Sequence, residues 1–162
     1  MKENTNGLGR AKTLLVPIVK RIARHKDVKA KLAEGKTRRK ELDRPDFVWH
    51  ELLLSFATMG NSRGAEGLIR NQGNYKRVTF EALKRKRTNA SRLSELREVL
   101  RAAKVRMPDR KADWLAENYD RVAALGGPIK AKETLLNTEG REEKIKFWRG
   151  FKGSERSTPE TS

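Results

Sequence analysis

The sequence predicts an all-helical fold. In several segments the apolar residues recur three and four positions apart, which is the spacing along one face of an α-helix. No run alternates between apolar and polar residues in the way that a half-buried β-strand does. Glycine and proline residues separate the helical segments. We therefore expect the 162 residues to form several helices, with enough length for one buried core.

Residues 1–44 are expected to contain one basic helix and a charged connector. The apolar stripe of this helix consists of Leu14, Leu15, Ile18, Val19 and Ile22. Pro17 either belongs to the first turn of the helix or bends it, and the sequence leaves both readings open. Residues 36–44 are mostly charged and are predicted to be the connector.

Residues 45–153 are predicted to form the main helical domain. Residues 47–58 carry apolar side chains on nearly every side, so they are expected to form its most buried helix. Residues 154–162 contain no large apolar side chain and are predicted to be a disordered tail. The other expected helices are residues 62–72, ended by Gly73; a short helix capped by Thr79; one capped by Asn89 or Ser91; one that begins at Pro108 and is ended by Gly126 and Gly127; and residues 128–136 and 141–148, the last with Thr138 as a candidate cap.

The net charge of +17 is concentrated in two blocks. Residues 1–44 hold 14 basic and 5 acidic side chains, and residues 84–111 hold 11 basic and 3 acidic side chains. A positive field of this density favours a polyanionic partner, of which a nucleic acid backbone is the commonest. A solubilising surface, or a basic face turned towards an acidic protein or membrane lipid, is the alternative interpretation.

Composition also argues against several classes of site. Cysteine is absent, which excludes disulfides, thiolate nucleophiles and any iron–sulfur cluster held by this sequence. His25 and His50 stand apart from acidic residues at ligand spacing, so neither a metal nor another cofactor is predicted. The longest apolar stretch, residues 52–57, is far shorter than the roughly 18 residues that cross a bilayer. We expect a cytoplasmic protein with no membrane partner.

Three segments share their order with a known family. Residues 53–64 begin with Leu-Leu-Ser and continue into a short polar loop. Residues 107–115 contain a basic turn followed by a Lys-Ala step that opens a long helix. Residues 145–153 contain aromatic residues that lead into Gly-Phe-Lys-Gly. Over residues 43–153 this order resembles the helix-hairpin-helix DNA glycosylases, the endonuclease III-like superfamily.

The resemblance implies duplex DNA as the partner and base-excision repair as the process. It also implies a multi-helix glycosylase-like domain that is incomplete on its C-terminal side, because the sequence departs from the family pattern after Gly153. The family's hairpin lysine and the following aspartate have no matching positions, so no catalytic residue is assigned. A truncated member that binds DNA without excising bases is the first hypothesis. A non-enzymatic basic nucleic-acid-binding module is the second, and an enzyme with relocated catalytic groups is the third.

The candidate DNA-binding residues come from the polar loop, the basic run, the basic turn and the glycine-rich end of the resemblance. They are Asn61, Ser62, Arg63, Lys84, Arg85, Lys86, Arg87, Lys104, Arg106, Arg110, Lys111, Lys152 and Gly153. For the loop the alternative is a helix start capped by Ser62, and for residues 84–87 it is an ordinary solvated loop. The three tryptophans are expected to pack in the core rather than stack on bases. The apolar residues near the C-terminus, such as Phe151, are expected to lack packing partners.

Overall fold

The computed structural model describes residues 26–60 and 62–153. The predicted apolar stripe at residues 14–22, the loop residue Asn61 and the predicted tail at residues 154–162 lie outside these ranges. Within them the chain forms nine α-helices and one π-helical turn, and no strand. The all-α prediction is therefore confirmed.

The chain divides into two compact units, residues 1–44 and residues 45–162. The described part of the first unit is helix α1, Lys26–Leu42. The prediction of a connector over residues 36–44 is wrong, because the helix continues through them to Leu42. Lysine, arginine and glutamate are good helix formers, and a charged stretch can remain helical where its side chains stay in water.

The described part of the second unit consists of eight α-helices and the π-helical turn. In chain order these are α2 (Phe47–Thr58), α3 (Arg63–Ala65), the π-helix (Glu66–Arg70), α4 (Gln72–Val78), α5 (Phe80–Lys84), α6 (Asn89–Ala102), α7 (Pro108–Ala124), α8 (Pro128–Asn137) and α9 (Arg141–Arg149).

Helix α2 lies at the centre of this unit, as its composition predicts. Seven of its twelve residues are buried, and no other described helix buries as large a share. Leu53 is fully buried, while Leu54 is half-buried. The indole of Trp49 donates a hydrogen bond to the carbonyl oxygen of Val78 at 2.9 Å and contacts the ring of Phe80 edge-on. A buried indole N–H needs such a partner, so this bond fixes how α4 meets α2.

Two helix starts show how local sequence sets the boundaries. The hydroxyl of Thr79 accepts a hydrogen bond from the backbone of Ala82, which confirms the predicted cap of α5. Helix α6 is capped by Thr88, one residue before the predicted cap Asn89 and three before the alternative, Ser91. Thr88 and Ser91 cap each other's backbone N–H groups, so the pair satisfies two donors that would otherwise face water.

Two other predicted boundaries are wrong. Gly73 does not end a helix but lies inside α4, whose first turn is capped by the side chain of Asn71. The hydroxyl of Thr138 donates to the carbonyl oxygen of Thr134 at 2.7 Å instead of capping α9, which follows Gly140. In both cases a neighbouring polar residue or glycine supplies the boundary.

Candidate nucleic-acid interface

Helices α6 and α7 pack against each other over much of their length. Aspartates of α7 neutralise a row of arginines on α6. Three ion pairs join them in antiparallel order: Arg101 with Asp109 at 2.5 Å, Arg97 with Asp113 at 2.9 Å, and Arg92 with Asp120 at 4.0 Å. The arginines come from the more basic of the two helices and the aspartates from the other. Much of the positive charge of residues 84–111 is therefore balanced within the fold.

Lys86 belongs to a second ion-pair network. Its ammonium lies 3.0 Å from a carboxylate oxygen of Glu95, and Arg77 binds the other oxygen at 2.5 Å. Partial burial alone would raise the pKa of Glu95, but the hydrogen bonds from Arg77 and Lys86 lower this pKa below its usual value. Lys86, a predicted phosphate contact, thus already has an anionic partner.

Lys111, another predicted DNA contact, points into the protein. Its side chain is 1% exposed, and its ammonium donates hydrogen bonds to the carbonyl oxygens of Phe56 at 2.8 Å and Met59 at 2.9 Å. Burial, and the positive charge of Arg106 as a smaller cause, lower the pKa of Lys111. Phe56 lies in the last turn of α2 and Met59 directly follows the helix, where carbonyl oxygens lack the N–H four residues later, and Lys111 satisfies these two. We therefore remove it from the candidate surface.

Six exposed cations of residues 84–111 remain, three at each end of α6. Lys84, Arg85 and Arg87 precede the helix and are called the N-terminal cluster here. Lys104, Arg106 and Arg110 follow it. None of the six forms an ion pair within the part of the chain that the structure describes. Because an α-helix rises about 1.5 Å per residue, the two groups lie roughly 20 Å apart along α6.

The turn between α6 and α7 lies directly against the polar loop that follows α2. A Cβ on Gly64 would lie 2.3 Å from the carbonyl oxygen of Ala57 and 3.4 Å from the side chain of Val105, so only glycine permits this approach. The side chain of Arg106 covers Gly60 in the same way. This contact brings Arg63, which is next to Gly64, beside the turn.

We call the resulting surface the basic corner, and it consists of Arg63, Lys104, Arg106 and Arg110. All four side chains are exposed. Ser62, at the edge of the corner, is exposed too and makes no side-chain hydrogen bond to α3, so it is not the cap that the alternative interpretation requires.

Residues with a strained backbone lie on both sides of Arg106 in the sequence. Lys104 and Met107 both have positive φ angles, 57° and 53°, which cost an L-residue about 1–2 kcal/mol. Lys104 holds the position after α6 at which two hydrogen bonds, from its own N–H to Arg101 and from Val105 to Leu100, close the helix end. The equivalent position after α7 is Gly126, the residue type that such an end prefers. Strain of this kind concentrates at functional sites.

The aromatic residues near the corner serve packing. The guanidinium of Arg110 lies 4.8 Å from the ring centroid of Trp114, whose ring also contacts Phe56. Trp49 is fully buried, and Trp114 and Trp148 are half-buried against the core. The predicted packing role of the tryptophans is confirmed.

The glycine-rich end of the described chain is fastened to the core. Asn118, which is buried, forms two hydrogen bonds with the backbone of Lys152, accepting from its N–H at 2.8 Å and donating to its carbonyl at 3.1 Å. The backbone N–H of Lys152, a predicted DNA-binding residue, is therefore already bound within the fold, although its side chain is exposed. The role of Asn118 was not predicted from the sequence. The indication of it is the presence of a polar residue between the buried positions Leu115 and Val122.

Gly153 completes this attachment. Its φ is +77°, and a Cβ there would lie 2.5 Å from the ring of Phe56, so the position requires glycine. Phe151 is 1% exposed and contacts the rings of Phe147 and Trp148. The prediction that Phe151 lacks packing partners is wrong, because the turn at residues 150–153 folds it back onto the core.

Among the described residues, no group of three or more His, Cys, Asp or Glu side chains could hold a metal ion. In the same ranges, none of the helices has the length and apolar character that crossing a bilayer requires. Comparisons of the sequence with protein-family models and with curated proteins, and of the fold with solved structures, find no match.

Proposed function

We propose that the second unit binds DNA through the basic corner. The observation that carries this proposal is the concentration of four exposed cations without carboxylate partners at one place, while the neighbouring arginines of α6 are paired with aspartates. Because the aspartates of α7 neutralise the arginines of α6, the unpaired positive charge of this helix pair lies at the two ends of α6. Such a field attracts phosphate groups and accelerates their capture.

The geometry of the corner suits phosphate contacts. The side chain of Arg106 lies over Gly60, and the guanidinium of Arg110 lies over the ring of Trp114, so that Arg110 loses less freedom on binding. Arginine presents a planar set of donors that matches phosphate oxygens. The N-terminal cluster, roughly 20 Å away along α6, supplies further cations for a polymer with regularly spaced phosphates.

The family resemblance supports DNA as this polymer. Two of the segments that carry it, residues 53–64 and residues 107–115, are far apart in the sequence, and the contacts of Gly60 and Gly64 bring the loop of the first beside the turn that opens the second. Both segments face DNA in the helix-hairpin-helix glycosylases. The proposal is one of duplex DNA binding within a repair-protein scaffold, and it assigns no catalytic residue.

The test is a salt titration of duplex binding by fluorescence anisotropy. A labelled duplex of 20 base pairs is titrated with wild-type protein and with the variant Lys104→Gln/Arg106→Gln/Arg110→Gln at several salt concentrations between 50 and 300 mM. Removal of three phosphate contacts should flatten the slope of log K against log salt by about 3 and weaken binding at low salt about tenfold or more.

The matched control removes three exposed cations from α9, in the variant Arg141→Gln/Lys144→Gln/Lys146→Gln. It has the same net charge as the corner variant, so a general charge effect would weaken both equally. We expect the control to bind nearly as well as wild type. Wild-type protein that fails to bind at 50 mM salt, or equal losses in the two variants, would refute the proposal.

A further inference from the structure

Helix α1 has an uneven distribution of charge around its axis. Asp27, Glu34 and Glu41 are seven residues apart, so at about 100° per residue they follow one narrow stripe along the helix. Lys29 and Lys36 each come two positions after an acidic residue, which places them about 200° away, on the opposite side.

Lys40, one turn beyond Lys36, continues the basic side. We call Lys29, Lys36 and Lys40 the lysine face. All three are exposed and form no ion pair within the described residues. The face is therefore a line of three unpaired cations over three turns of one helix.

The described side chains of the same helix leave its apolar residues largely in water. No described side chain between Asp27 and Leu42 is buried, and Leu32 is 54% exposed. An isolated helix of 17 residues is only marginally stable in water, so packing within the described part of the unit does not account for this one. Its charge pattern, rather than an apolar stripe, is what it offers to a partner.

We propose that the lysine face of α1 is a second nucleic-acid-binding surface, which contacts the phosphate backbone of duplex DNA. Charge complementarity selects this partner, since a polyanion satisfies the lysines while the acidic stripe stays in water on the far side. A membrane surface fits less well, because interfacial helices bury a continuous apolar face and α1 has only Val28, Leu32 and Leu42 as large apolar residues. The choice of duplex DNA rests on the proposed function.

The chain offers a closely matched pair of variants to test this surface. Lys29→Gln/Lys36→Gln removes two charges from the lysine face. Lys31→Gln/Arg38→Gln removes two charges with the same spacing, and each of these positions follows its counterpart by two residues, about 200° around the helix. Glutamine is a good helix former, so both variants should keep their helicity, which circular dichroism verifies.

Both variants are titrated with the 20-base-pair duplex in full-length protein, in the same salt series. The lysine-face variant should lose about 2 from the salt slope and about fivefold or more in affinity at low salt. The control should change affinity less than about twofold. In the background of the corner variant, the lysine-face substitutions should remove most of the remaining binding.

Two outcomes would overturn the inference while leaving the proposed function intact: equal effects of the two α1 variants, or no effect of the lysine-face variant on a wild-type protein that binds DNA. Vesicles with one third anionic lipid provide a further arm. If the lysine-face variant loses vesicle binding but keeps wild-type DNA affinity, the face belongs to a membrane contact and the inference is wrong. Failure of the proposed function would appear differently, as absent wild-type binding or as an inert corner variant.

Discussion

The ammonium nitrogen of Lys111 lies 2.8 Å from the carbonyl oxygen of Phe56, a residue 55 positions earlier in the chain. A second bond, to the carbonyl oxygen of Met59 at 2.9 Å, places the ammonium under the end of α2. Lys111 therefore joins α7 to the loop after α2 from the inside, at the place where Arg106 covers Gly60 from the outside. The two halves of the basic corner depend on this buried lysine for their relative position.

Replacement of Lys111 by methionine should destabilise the second unit. The methionine fills similar space but leaves the carbonyls of Phe56 and Met59 without their donor, at a cost of about 2–3 kcal/mol in the free energy of unfolding. Urea denaturation at pH 7 measures this. Lys144→Met on the exposed side of α9 is the control and should change stability by less than about 0.5 kcal/mol. Equal stability of the two variants would show that the buried bonds are unimportant.

The difference in stability between wild type and Lys111→Met should depend on pH in alkaline solution. The pKa of Lys111 is lowered by burial in the folded protein, so the folded state releases this proton at a lower pH than the unfolded chain. Between the folded pKa and the usual lysine value of 10.5, unfolding takes up a proton, and the free energy of unfolding contributed by Lys111 rises with pH. The stability advantage of wild type over Lys111→Met should therefore widen as the pH rises towards 10.5. A constant difference would contradict the assigned burial.

Replacement of Lys104 by glycine should separate stability from binding. Glycine adopts the positive φ of this helix end without strain, so Lys104→Gly should raise the free energy of unfolding by about 0.5–1 kcal/mol. The same change removes one cation of the basic corner and should lower the DNA salt slope by about 1. Lys104→Ala is the control, because it removes the charge but keeps the strain. Thermal denaturation and anisotropy report the two effects, and a less stable glycine variant would refute the strain argument.

A methyl group on Gly153 should loosen the C-terminal attachment. In Gly153→Ala the Cβ would meet the ring of Phe56 at a φ that alanine rarely adopts, which should cost about 2–3 kcal/mol. Asn118→Ala should cost a similar amount, since it removes both bonds to the Lys152 backbone. The double variant should cost less than the sum, because either change frees the same segment. Strict additivity in urea denaturation would show that the two contacts act independently.

The elements that the sequence predicted well are those in which one physical effect dominates. Helix α2 is apolar on nearly every side, and burial alone explains its position. The cap at Thr79 is similarly local, because a single hydroxyl satisfies a single backbone group three residues later. Segments of this kind need no knowledge of the partner helices.

The prediction failed where a residue's role depends on a distant segment. From the sequence alone, Lys111 is expected to be a surface charge. Its ammonium is buried because the carbonyl oxygens of Phe56 and Met59 accept hydrogen bonds from it. The arginines of α6 read as part of a DNA-binding block until α7 places aspartates opposite them. The sequence does contain an indication of this pairing, because the arginines of α6 and the aspartates of α7 recur at matching intervals. Counting charges over whole blocks of sequence does not show which residues pair.

The ion pairs of Glu95 should make the protein lose stability in acid. The pKa of this carboxyl is lowered in the folded protein, with the hydrogen bonds from Arg77 and Lys86 outweighing the effect of burial. Above the usual value of 4.5 the group is ionised in both states, and its contribution to stability is fully present. As the pH falls below that value the unfolded chain binds the proton first, so the contribution is lost progressively until the folded pKa is passed.

Glu95→Gln tests this argument, because it keeps the shape of the side chain and removes its charge. At pH 7 the variant should be less stable than wild type by about 1.5–3 kcal/mol, the usual range for hydrogen bonds to a charged group. The difference in the free energy of unfolding should shrink between pH 4.5 and pH 3, because wild type then loses the stabilisation from the Glu95 charge, which the variant lacks at every pH. Glu117→Gln, at an exposed position of α7, is the control and should follow the wild-type pH profile. Urea denaturation across this pH range measures both, and a gap that stays constant down to pH 3 would show that the Glu95 network does not stabilise the fold through its charge.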